Sequence, residues 1–99
     1  MSYRWYLTVV AVKEFAALAN LQLDDGGPLW SAAEKSLSQI CDSAKMVSDD
    51  GRTQIWRTGR MAVAGDRGGG RGNRRWELYV RTTPRPEGPL PQLVRVRAK

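Results

Sequence analysis

The sequence predicts an α+β domain of order β-α-α-β-β-β, open to one more strand, with two helices packed on one face of an antiparallel sheet. Three observations carry that expectation. Residues 3–9 alternate large apolar with more polar side chains, residues 28–44 carry one apolar stripe at helical spacing, and short strand-like runs follow from residue 53 onward. Helices followed by a run of strands is the pattern of α+β chains, where helices cover one side of an antiparallel sheet and the other side meets solvent or a partner.

The opening strand rests on Tyr3, Trp5, Leu7 and Val9 alternating with Arg4, Tyr6 and Thr8. That period of two marks a half-buried strand, and aromatics suit it. The period then lengthens. Val12, Phe15, Ala16 and Ala19 predict a helix over about residues 10–21, ended by the loop chemistry of Asp24-Asp25-Gly26-Gly27. Pro28 is placed for the first turn of a second helix, where its missing N–H costs nothing. Trp30, Ala33, Leu37, Ile40, Cys41 and Ala44 then form a stripe, with Ser31, Glu34, Lys35, Ser38 and Asp42 on the opposite side.

Asp49-Asp50-Gly51 is a turn signal, and strands are expected at 53–57, 60–64, 76–81 and 92–97, with Gly59 interrupting the first two. In the third, Trp76, Leu78 and Val80 oppose Glu77, Tyr79 and Arg81. In the last, Val94 and Val96 oppose Leu93, Arg95 and Arg97. Pro84, Pro86, Pro89 and Pro91 make the segment between them a stiff connection that cannot be a central strand.

Ninety-nine residues is one domain, residues 1–99, and enough to bury a core without disulfides. A single cysteine, Cys41, excludes an internal disulfide. No run approaches the roughly 20 apolar residues of a membrane span, and the N-terminus lacks the pattern of a signal peptide. The expected location is the cytoplasm.

Charge is segregated. Residues 1–50 hold four bases and seven acids, and residues 51–99 hold twelve bases and three acids, eleven of the bases being arginine. Arginine suits forked recognition of phosphate or carboxylate. A GC-rich genome also enriches arginine over lysine, but it does not explain the segregation. An asymmetry of this kind points to an acidic partner.

Two groups of residues are candidates to meet that partner. A flexible glycine–arginine loop over about residues 65–75 carries Arg67, Arg71, Arg74 and Arg75, and such segments bind RNA through phosphates and guanidinium stacking on bases. The same loop also reads as a plain strand connection with arginine for solubility. Arg57, Arg60, Tyr79, Arg81, Arg95 and Arg97 fall on strands. If they share the helix-free face they make a basic platform, near the aromatics Trp56, Trp76 and Tyr79. A solvated, aggregation-resistant sheet face has the same composition.

Catalytic and metal signatures are weak. The absence of histidine excludes Ser-His-Asp and Cys-His machinery and histidine metal sites. Cys41 lies on an apolar stripe, as a buried structural thiol does. Asp24-Asp25 and Asp49-Asp50 sit in turns, where carboxylates cap backbone N–H groups. No cofactor or metal is implied.

Thr8-Val9-Val10-Ala11-Val12-Lys13-Glu14-Phe15, the Trp56-Arg57 strand and the closing Leu90-Pro91-Gln92-Leu93-Val94-Arg95-Val96 resemble small proteins of bacterial mobile elements, including the BrnT-type and RelE-type ribonuclease toxins. The resemblance implies a strand, two helices and an antiparallel sheet. BrnT-like members often carry a histidine at the strand–helix junction and an arginine one turn later, and here those positions are Val10 and Glu14. RelE-type toxins cleave messenger RNA with arginine, lysine and tyrosine rather than histidine, so a histidine-free site using Arg60, Tyr79, Arg81 and Arg97 is conceivable, without a motif that aligns these residues to the family or carries its roles to them.

Three functions therefore stand as expectations. The first is a non-catalytic module binding nucleic acid, RNA above all, or a nucleoprotein. The second is a histidine-free ribonuclease toxin. The third is a phage or mobile-element protein that inhibits a host nucleic-acid-handling complex by protein contact. None requires a membrane.

Overall fold

A computed structural model describes residues 4–61 and 74–99 of the chain. The elements are β1 (Tyr6–Leu7), α1 (Val9–Leu18), α2 (Pro28–Ser43), β2 (Lys45–Asp49), β3 (Thr53–Met61), β4 (Arg74–Thr83) and β5 (Leu90–Ala98). The five strands form one sheet in the order β1-β5-β4-β3-β2. Every pairing is antiparallel except β1 with β5, which is parallel. The α+β class, the strand–two-helices–strands order and the packing of helices against the sheet are as the sequence predicts.

Thr8 ends β1 after two residues. Its hydroxyl donates to Leu93 O at 2.8 Å and accepts from Ala11 N at 3.2 Å, so one side chain ties the chain to β5 and caps α1. The first strand is thus shorter than the alternation over residues 3–9 predicts. The helix also closes earlier than predicted, at Asn20 rather than at the Asp-Gly loop. Asn20 takes φ +56°, Leu21 N donates to Ala16 O and Asn20 N to Ala17 O. Those two bonds satisfy carbonyls at the helix end, and asparagine tolerates the left-handed conformation they require.

The second helix starts at Pro28, as predicted. Its cap comes from the preceding loop. Asp24 accepts from Leu29 N at 3.2 Å and from Trp30 N at 2.8 Å. A Cβ on Gly27 would collide with that carboxylate, so a larger residue there would push the Asp24 cap out of place. Asp49 and Asp50 likewise accept from Gly51, Arg52 and Thr53 N–H groups in the β2–β3 turn. These carboxylates serve turns and caps.

One core unites the layers. Phe15, Leu37, Ile40, Cys41, Trp76, Leu78, Val80, Leu93 and Val96 are buried within it, and the Phe15 and Trp76 rings lie 5.3 Å apart. Each such side chain contributes roughly 1.5–3 kcal/mol through burial. Ser38, expected on the outer side of α2, is buried and donates to Lys35 O.

Three strand expectations are revised. Lys45–Asp49 forms an additional edge strand with every residue exposed. The runs expected at 53–57 and 60–64 join into β3 as far as Met61, with the register irregular between Arg57 and Arg60, and residues 62–64 lie outside the described residues. A register shift at Val94 puts Leu93 and Val96 together on the core side, so the expected opposition of Leu93 to Val96 does not hold.

Candidate nucleic-acid interface

Trp76, Leu78 and Val80 of β4 face the helices, so Arg75, Glu77, Tyr79 and Arg81 face the other way. Cross-strand register extends that face into four rows. Arg60, Arg75 and Lys99 stand opposite one another, Arg75 and Lys99 exchanging both backbone hydrogen bonds. The next row is Lys45, Arg57, Glu77 and Arg97. Ser48, Ile55, Tyr79 and Arg95 follow, and then Thr53, Arg81, Gln92 and Tyr6. Glu77 is the one carboxylate in these rows.

Glu77 is already engaged. Arg57 Nε donates to its Oε2 at 2.7 Å and Tyr79 Oη to its Oε1 at 2.5 Å, and the residue is 6% exposed. Hydrogen bonds from Tyr79 and Arg57 hold its carboxyl below the ordinary value of 4.5. The reciprocal bond to Glu77, together with burial, raises the Tyr79 phenol above 10, so it stays protonated at neutral pH. One cation, Arg57, is therefore compensated within the face. Arg95 has a second, looser carboxylate neighbour, Glu14 of α1, at 3.9 Å. The same Glu14 accepts from Val96 N at 3.3 Å and so closes part of the β5 edge that β1 leaves bare.

Arg57, Arg60, Arg75, Tyr79, Arg81, Arg95 and Arg97 thus share the helix-free face. Arg74 does not. It starts β4 rather than ending a loop, faces the helices, and donates to Leu18 O at the end of α1. That contact gives it a structural role. Arg67 and Arg71 lie outside the described residues. The aromatic content of the face is also smaller than the sequence suggests. Trp56 and Trp76 point to the helix side, Trp56 against Trp5 at 4.8 Å, leaving Tyr79 and the exposed Tyr6 of β1, which pairs with Gln92. Lys45 and Lys99 are additions. Lys99 continues the alternation of Arg95 and Arg97 and was readable, whereas Lys45 needed knowledge of β2.

Where β3 loses register, Thr58 replaces the missing ladder bond by accepting from Trp76 N at 3.0 Å. Beside this irregularity lies a cavity of about 230 Å³ lined by Arg57, Thr58, Gly59, Arg75, Trp76, Glu77 and Lys99. Among the described residues, no group of histidine, cysteine or acidic side chains is arranged to hold a metal ion. No described helix is long and apolar enough to cross a membrane.

No protein-family model matches the chain, and no curated protein or solved structure matches it either.

Proposed function

We propose that this chain is a non-catalytic, cytoplasmic nucleic-acid-binding module that holds single-stranded RNA against the helix-free face of its sheet, chiefly by phosphate contacts. The observation that supports the reading is the row arrangement. Arg60, Arg75, Arg81, Arg97 and Lys99 stand on one face whose single carboxylate is consumed by Arg57 and Tyr79. A surface meant only for solubility mixes both signs of charge. This one concentrates cations along strands, where a phosphate backbone can be tracked. With Tyr6 and Tyr79 as the aromatics described there, base stacking supplements the phosphate contacts, and binding is tolerant of sequence.

The test is a titration of the whole chain with fluorescent single-stranded RNA between about 50 mM and about 200 mM salt. Phosphate contacts by these five cations predict a slope of log K against log salt of about −3.5. Absence of binding at the lower salt, or a flat slope, overturns the reading. Shortening of the RNA in the same samples replaces it with a ribonuclease.

A further inference from the structure

The row Arg60–Arg75–Lys99 has no internal compensation. Its three cations stand directly opposite one another on neighbouring strands, and none forms a close ion pair with a side-chain carboxylate among the described residues, the charge of Glu77 reaching Lys99 only from a distance. Like charges placed directly across strands repel and destabilise a sheet. The adjoining row resolves the same problem with Glu77, and this row does not. It borders the cavity at the β3 irregularity, which Arg75, Lys99 and Arg57 line together with Thr58, Gly59 and Trp76. Glu77, the cavity's one side-chain carboxylate, is held by Arg57 and Tyr79. A Cβ added at Gly59 would meet nothing within 4 Å, so the backbone there is openly approachable.

We infer that this cavity is a subsite for a phosphate monoester, the terminal phosphate of a nucleic-acid strand or of a mononucleotide. Three points of chemistry select that ligand. Paired cations facing one recess suit a dianion better than a singly charged internal phosphodiester. The guanidinium of Arg75 offers forked donation to phosphate oxygens, and the Lys99 ammonium adds a point charge. A recess at one end of the face admits a strand's end, whereas an internal phosphate carries a sugar on both sides. The strand-end form rests on the reading of the face as a nucleic-acid surface, and the mononucleotide form does not.

The experiment compares single-stranded RNA of about twelve nucleotides carrying a 5′-phosphate, a 3′-phosphate or hydroxyl ends, alongside a nucleoside monophosphate and inorganic phosphate. One phosphorylated end is expected to bind about tenfold tighter than the hydroxyl-ended strand. Arg75→Gln with Lys99→Gln should abolish that preference. Arg81→Gln should weaken all three strands equally and leave the preference intact. Equal binding of all three strands by the unmodified chain overturns the strand-end subsite while the proposed function stands. If no RNA binds but the nucleoside monophosphate does, and Arg75→Gln removes it, the proposed function fails and the subsite stands. If neither binds, both are overturned.

Discussion

Arg57 and Glu77 face each other across β3 and β4, and the guanidinium Nε donates to the carboxylate Oε2 at 2.7 Å. The pair is asymmetric. The Arg57 side chain is half exposed, while that of Glu77 is 8% exposed. The carboxylate therefore depends on its partners more than the arginine does. Removing Glu77 leaves Arg57 and Tyr79 without their shared acceptor in the centre of a cationic face. Glu77→Ala should cost about 2 kcal/mol, the scale of lost hydrogen bonds to a charged group, read as a lower urea midpoint at neutral pH.

The same carboxylate makes stability depend on acid. Its folded value lies below the ordinary 4.5, so the fold favours the ionised form. The stabilisation is complete above about 4.5 and is lost as pH falls through the depressed folded value. Melting temperature should decline in that acid window. Glu77→Gln should start lower at neutral pH and decline less. Parallel curves for the two proteins would contradict this.

Arg4 is the counterpart on the helix side. Its guanidinium donates to Cys41 O at 2.9 Å and Ala44 O at 3.0 Å, and lies 4.5 Å from the centre of the Trp56 ring. It closes the C-terminal end of α2, where carbonyls lack helical partners and a cation is favoured. Arg4→Lys retains charge but loses planar stacking and the fork, and should cost about 1 kcal/mol. Arg4→Ala should cost about 2 kcal/mol. Denaturation followed by tryptophan fluorescence measures both.

The helices were legible because burial of one stripe forces a 3.6-residue period, and Leu37, Ile40 and Cys41 are buried as that period requires. β4 was legible because Trp76, Leu78 and Val80 fill a core while Glu77, Tyr79 and Arg81 do not. β2 was not, because Lys45 to Asp49 bury nothing and are held by pairing to β3 alone. A strand without a buried face leaves no alternation to read. The face assignment in β5 failed for a related reason. One extra residue at Val94 reverses the alternation, and nothing in Leu93-Val94-Arg95-Val96 marks it. The cationic rows were thus foreseeable for Arg81, Arg95 and Arg97. The opposition of Arg60 to Arg75 depends on the β3 irregularity and on β4 beginning at Arg74, both invisible to periodicity.

Cys41 is fixed in the core at 1% exposure. Burial, reinforced by the neighbouring Asp42 charge, pushes its thiol up to about 12. The thiolate is the reactive form, and at mildly alkaline pH it is scarcely populated in the fold. A disulfide-exchange reagent at such pH should leave native protein unmodified and label one thiol per chain in denaturant. Rapid labelling of the native chain would refute the packing of α2 against the sheet.

Arg81 and Arg95 separate charge from position on the open face. Arg81 is exposed opposite Thr53 and Gln92, with no carboxylate across either strand. Arg95 shares its surroundings with Glu14 at 3.9 Å. An uncompensated arginine that contacts one phosphate releases a full share of counterion, whereas one already near a carboxylate releases less. Arg81→Gln should therefore weaken RNA binding alike for all sequences and make the salt slope shallower by about 0.7. Arg95→Gln should have a smaller effect on both. Glu14→Gln should tighten binding slightly, because it frees Arg95 for phosphate. If Arg81→Gln instead changed affinity for some sequences and not others, the face would be reading bases rather than tracking phosphates.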